Sequence, residues 1–105
     1  MNRKLLVTPE ARETLERLRK NPAKAGLCRQ VLRTLGLLET NLRHPSLHTH
    51  PFESISGPND EKIFEAYAQN HTPGGYRAFF FYGPDETDKT KRAPVLTIVA
   101  ILAHP

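Results

Sequence analysis

The chain has 105 residues, 38% of them hydrophobic and 25% charged, and carries a net charge of +4 from 15 Lys and Arg against 11 Asp and Glu. That length suits one domain spanning residues 1–105 with a modest core of its own, and the composition excludes a largely disordered chain. No apolar run approaches the roughly 18 residues of a membrane span, the apolar part of Met1–Val7 is too short for a secretory signal, and a single cysteine, Cys28, excludes an internal disulfide and suits a reducing cytoplasm.

Charge is uneven along the chain. Residues 1–52 hold 10 basic and 4 acidic residues, a surplus of +6, whereas residues 53–105 hold 5 and 7, a deficit of −2. A basic first half favours nucleic acid or an acidic protein as partner.

Lys4-Leu5-Leu6-Val7 reads as a short edge strand. Thr8-Pro9-Glu10 is a helix start, with an N-cap threonine, proline at the first helical position and an acid in the first turn. Ala11, Leu15 and Leu18 recur at helical spacing, Arg19-Lys20 suit the C-terminal end, and Asn21-Pro22 ends the helix. A second helix is predicted over Pro22–Asn41. Its apolar stripe is Leu27, Val31, Leu35 and Leu38, joined by Cys28, Leu32 and Leu42, while Lys24, Arg29 and Arg33 face away. The short connection makes the two helices an antiparallel pair, and Cys28 reads as a small core residue. Residues 42–52 read as a loop running into a strand that reaches Ile55, and Ser56-Gly57-Pro58-Asn59-Asp60 as a turn.

Two aromatic-rich strands follow, Ile63–Gln69 and Tyr76–Tyr82, separated by Asn70-His71-Thr72-Pro73-Gly74-Gly75, a dense turn signal that makes them an antiparallel hairpin. With Gln69 opposite Arg77, one face carries Glu65, Tyr67, Gln69, Arg77, Phe79 and Phe81. The other carries Phe64, Ala66, Ala68, Ala78, Phe80 and Tyr82 and packs on the helices. Both faces of the second strand are apolar apart from Arg77, the pattern of a central strand; a guanidinium there must be paired or border an open groove. Gly83–Pro94 reads as a polar loop, and Val95–Ala103 as a strong buried strand. The expected architecture is α+β: a short N-terminal strand and a two-helix hairpin packed on one face of a mainly antiparallel four-stranded sheet, whose other face is free to be a groove.

This order, with Asn41-Leu42-Arg43-His44-Pro45-Ser46-Leu47 after a leucine-rich helix, then Phe64-Glu65-Ala66-Tyr67, Tyr76-Arg77-Ala78-Phe79-Phe80-Phe81 and an apolar strand ending in His104, resembles the RelE/ParE superfamily of toxin–antitoxin toxins. The resemblance spans nearly the whole chain. It implies a toxin silenced by a cognate antitoxin protein. Members of the RelE and YoeB kind are endoribonucleases that cut mRNA on the ribosome, whereas those of the ParE kind inhibit DNA gyrase without being enzymes. By position, Glu65 matches the acid–base carboxylate of the YoeB-like branch, Arg77 the phosphate-binding arginine and His104 the C-terminal histidine.

The chemistry of RNA transesterification fits these residue types. A base must take the 2′-hydroxyl proton, a cation must offset charge on the phosphoryl oxygens, and an acid must protonate the departing 5′ oxygen. Glu65, Arg77 and His104 could fill those roles in that order. Tyr67, Phe79 or Phe81 could stack an unpaired base, with Lys62 and Gln69 completing the RNA-binding set. The plainer alternatives are that Glu65 and Arg77 form only a cross-strand ion pair and that the chain is an inactive basic binding module. His48-x-His50 puts two imidazoles on one side of a strand, with His44 and His71 as further candidates. Zinc needs three or four converging ligands, so neither a metal nor another cofactor is expected.

Overall fold

The computed structural model describes residues 3–69, 75–83 and 94–103. In these the chain forms β1 (Lys4–Val7), α1 (Pro9–Lys20), α2 (Ala25–Thr40), β2 (His50–Ser56), β3 (Lys62–Tyr67), β4 (Tyr76–Tyr82) and β5 (Val95–Ala103). The polar 83–94 loop falls almost wholly outside the described residues.

Local chemistry sets the helix boundaries. Thr8 caps α1: its Oγ1 accepts from the Ala11 N–H at 3.3 Å and donates to the Val99 carbonyl at 3.1 Å, so one hydroxyl both starts the helix and ties it to β5. After α1 the chain does not enter the second helix directly. Asn21 Oδ1 accepts from the Ala23 N–H, and Pro22–Lys24 form a tight 3₁₀ turn. The second helix therefore begins at Ala25 rather than Pro22, and it ends at Thr40. Cys28, Val31, Leu35 and Leu38 are buried on one side of α2. Leu32, expected with them, is 52% exposed, because a step of about 100° from Val31 carries it past the edge of the stripe.

The sheet has five strands in the order β1-β5-β4-β3-β2, which corrects the expected four-stranded arrangement. The short N-terminal strand supplies the fifth by pairing in parallel with β5, Leu5 opposite Leu96 and Val7 opposite Ile98, so the sheet is mixed; the other pairings are antiparallel. The α+β class holds, with α1 packed on β5 and α2 on β4. Among the described residues no helix is long and apolar enough to cross a membrane.

The hairpin register also differs from expectation. Tyr67, not Gln69, lies opposite Arg77, and Phe64 lies opposite Phe80. The shift is two residues, which preserves the face of every side chain that stays in the ladder because the strand period is two. The physical cause is at the turn. Gln69 leaves the ladder and closes the hairpin instead: its backbone N–H donates to the Tyr76 carbonyl at 3.2 Å, and its Oε1 accepts from the Tyr76 N–H at 3.0 Å.

The main core lies between the helices and the sheet, where Leu18, Val31, Leu35, Leu38, Ala66, Ala78, Phe80, Leu96, Ile98 and Ile101 meet. The irregularity in β4–β5 pairing lets β5 serve it: Phe79 pairs with Ala100 but Phe80 with Ile98, leaving Val99 as an extra residue. This bulge resets the alternation, so Leu96, Ile98 and Ile101 all point to the helices. The sheet's opposite face, expected to be free as a groove, carries an apolar cluster of its own. Ile63, Phe79 and Phe81 are buried there in a second, smaller cluster with Phe52, Val99 and Ala100. Phe52 meets Phe79 edge-on at 5.0 Å between ring centres.

Candidate functional site

On that second face, at the β2 edge, the sheet brings together His50, Glu65, Tyr67 and Arg77. Their placement follows from register. His50 on β2 lies directly opposite Glu65 on β3, and Tyr67 lies directly opposite Arg77 on β4. Arg77 reaches diagonally across the strand pair to Glu65, the next-nearest approach that a ladder allows.

Glu65 and Arg77 are both under the surface, 1% and 5% exposed. Arg77 Nε sits 3.3 Å from Glu65 Oε1. Its Nη1 donates to the carbonyls of Gln69 at 3.1 Å and Tyr76 at 3.2 Å, and the guanidinium carbon lies 3.9 Å from the centre of the Tyr67 ring. The guanidinium is thus held by a carboxylate, two carbonyls and an aromatic face. A desolvated cation–π contact of this kind contributes about 2 kcal/mol. Arg77 is therefore the paired case of the two that an apolar strand permits.

In front of this pair stands His50, a residue that the sequence offers only as a metal-ligand candidate. His50 Nε2 lies 3.6 Å from Glu65 Oε1, with the imidazole side chain 44% exposed. Its Nδ1 bonds to the His48 carbonyl. With Nδ1–H donating there, Nε2 carries the free lone pair of the neutral imidazole, between the Glu65 carboxylate and the surface. The Tyr67 ring meets both imidazoles, His50 edge-on at 5.8 Å and His48 tilted at 5.1 Å. His48 reaches it from a left-handed backbone, φ 45° and ψ 42°, uncommon for a residue with a Cβ. The signal for His50 was present in the sequence as His48-x-His50, but strand alternation alone could not say which residue of β3 it would oppose.

The remaining candidates are dispersed. Phe79 and Phe81 are buried in the small apolar cluster. Gln69 is committed to the turn, and its Nε2 donates to Gln30 Oε1 at 3.2 Å. Lys62 Nζ lies over the Phe64 ring at 5.8 Å, on the helix side of the sheet and away from Glu65. His104 and His71 lie outside the described residues. Among the described residues no three His, Cys, Asp or Glu side chains converge as a metal site.

Two concave regions adjoin the sheet. One, of about 500 Å³, is mostly apolar and is lined by Ile55, Ile63, Phe81 and Val99 on the second face. The other, of about 810 Å³, lies where α2 ends and the 40–49 segment passes Tyr82 and Arg3. His48 belongs to its wall and is the link between that cleft and the Tyr67 ring. No family model, curated protein or solved structure matches the chain.

Proposed function

We propose that this chain is a toxin of the RelE/ParE kind that cleaves mRNA, held inactive by a cognate antitoxin. The observation that carries the reading is the half-exposed His50 set on the buried Glu65–Arg77 pair beside the Tyr67 ring. It has the composition of a proton-transfer site: an imidazole at the surface, a carboxylate behind it and an aromatic face next to both.

The roles differ from those implied by the resemblance. Glu65 is too deep to meet a 2′-hydroxyl first, so His50 Nε2 takes that proton. The 2′ oxygen then bonds to the adjacent phosphorus, the bond from phosphorus to the 5′ oxygen breaks, and water protonates the departing 5′ oxygen. Glu65 faces the imidazolium so formed and stabilises it. Arg77 fixes Glu65 and Tyr67 from beneath, and the Tyr67 ring in turn holds the His50 and His48 imidazoles in place. Proton transfer of this type contributes about 10²–10⁴-fold to rate.

The test is growth arrest on induced expression, with the 5′ ends of mRNA mapped in the arrested cells. His50→Gln is the informative variant because an exposed imidazole can be replaced without emptying the core. It should fold, and cleavage should fall by two orders of magnitude or more. Cleavage at the unaltered rate would overturn the assignment. The burial of Glu65 and Arg77 favours one alternative, a non-enzymatic toxin that inhibits DNA gyrase. Under that reading the pair is purely structural, and arrest would persist in His50→Gln with no new mRNA ends.

A further inference from the structure

The buried Arg77 leaves a gap in the proposed chemistry, since its guanidinium is already engaged and cannot also grip a phosphate at the surface. The 810 Å³ cleft next to the site has what is missing. Its wall includes Arg3, Arg43, His44, His48, Thr49 and Tyr82, and among the described residues no Asp or Glu lines it. Among the described residues neither arginine is paired with a carboxylate.

The polar groups are set as donors. His44 Nδ1 accepts from the Ser46 N–H at 3.2 Å and meets Ser46 Oγ at 2.7 Å, so its ring proton sits on Nε2. Thr49 Oγ1 is buried and has no hydrogen-bond partner among the described residues. Partial burial of the half-exposed Tyr82 raises the pKa of its hydroxyl, the Arg3 charge opposing this, so at neutral pH the phenol keeps its proton. The C-terminal end of α2 brings partial negative charge to the rim, about half an elementary charge, which two guanidinium groups outweigh.

We infer that this cleft binds the phosphate backbone of single-stranded RNA, with Arg3 and Arg43 as the clamp, and holds the nucleotide next to the one presented at His50. The inference rests on the function proposed above for the direction of the strand: His48 lines the cleft and its ring touches Tyr67, so a chain leaving the cleft passes directly to the site. The volume suits one nucleotide or two, and arginine forks match phosphate oxygens in pairs.

The test uses a fluorescein-labelled ten-nucleotide 2′-O-methyl RNA, which the proposed reaction cannot cut, titrated with the full chain between 50 and 300 mM salt. The double variant Arg3→Ala/Arg43→Ala should bind about ten-fold or more weakly. The slope of log affinity against log salt should fall by about 1.4, the value for two lost contacts to a single strand. Arg3→Lys/Arg43→Lys should keep most of that slope while losing affinity, since charge remains but the forks do not. Thermal unfolding of both variants shows that the fold is intact.

Equal affinity and slope in the alanine variant would overturn the cleft even if the wild type cuts RNA. Loss of affinity and slope would uphold it even if no RNA is ever cut, so the two readings fail separately. Wild-type protein that ignores the RNA at 50 mM salt but binds poly-glutamate, with the same loss in the alanine variant, would overturn the RNA assignment in favour of an acidic protein partner.

Discussion

At the scale of single residues, the buried pair behaves differently from the exposed imidazole. Removing one partner of a buried ion pair typically costs about 3–5 kcal/mol, because the other charge is left desolvated and unpaired. Arg77→Met and Glu65→Gln should both lose stability on that scale in urea unfolding. The double variant Glu65→Gln/Arg77→Met should be markedly less destabilised than the two losses added together. Additive losses would show that the two side chains do not support one another. This burial also means that loss of cleavage in Glu65→Gln must be read against its fold, which is why His50 is the cleaner probe. Tyr82 gives a pH prediction. Its folded pKa is raised by burial, so the neutral phenol contributes stability that is present below the unfolded pKa, about 10. That contribution is lost as pH rises through the higher folded value. Phenolate absorbance should show a late-titrating phenol that is missing from Tyr82→Phe, and that variant should flatten the alkaline fall in stability.

At the scale of elements, the central strand is the part that least tolerates change. Phe80 is fully buried, stacked on Phe64 at 5.9 Å and edge-on to Tyr82 at 5.8 Å. Phe80→Ala should cost about 3–5 kcal/mol, a large share of a typical domain's 5–15, with urea unfolding as the measure. At the end of β4, Gly83 has φ 107°, a region that a Cβ disfavours, and its carbonyl accepts from Thr97 Oγ1 at 2.7 Å. Gly83→Ala should therefore destabilise by about 1 kcal/mol or more, the reverse of the gain that the same exchange gives at an ordinary φ. A stabilised variant would show that this backbone relaxes freely.

At the scale of the whole molecule, the uneven charge becomes a surface. The +6 half supplies β1, both helices and the cleft, with Arg29 and Arg33 on the exposed side of α2. If an acidic antitoxin covers this side, as the proposed function implies, co-purification should weaken with salt and in Arg33→Glu. Retention indifferent to both would remove the electrostatic part of that claim while leaving an apolar contact open to test through Leu32, which is exposed on the same helix.

Alternation and capping are local properties, so the sequence by itself determined the two helices, the aromatic hairpin and which residues of β3 and β4 share a face. Thr8, Pro9 and Asn21 act within a few bonds of where they stand, and a two-residue register error cannot move Glu65 from its face. Three things required the folded chain. The N-terminal strand joined the sheet because β5 had a free edge some 90 residues away, a pairing that no local pattern encodes. The β5 bulge reset which apolar residues turn inward, because Ile98 and Ile101 both had to reach one core. His50 came to face Glu65 because the β2–β3 register aligned them. That register depends on strand partners and a bulge between Pro51 and Ser56, not on the spacing of either residue along the chain.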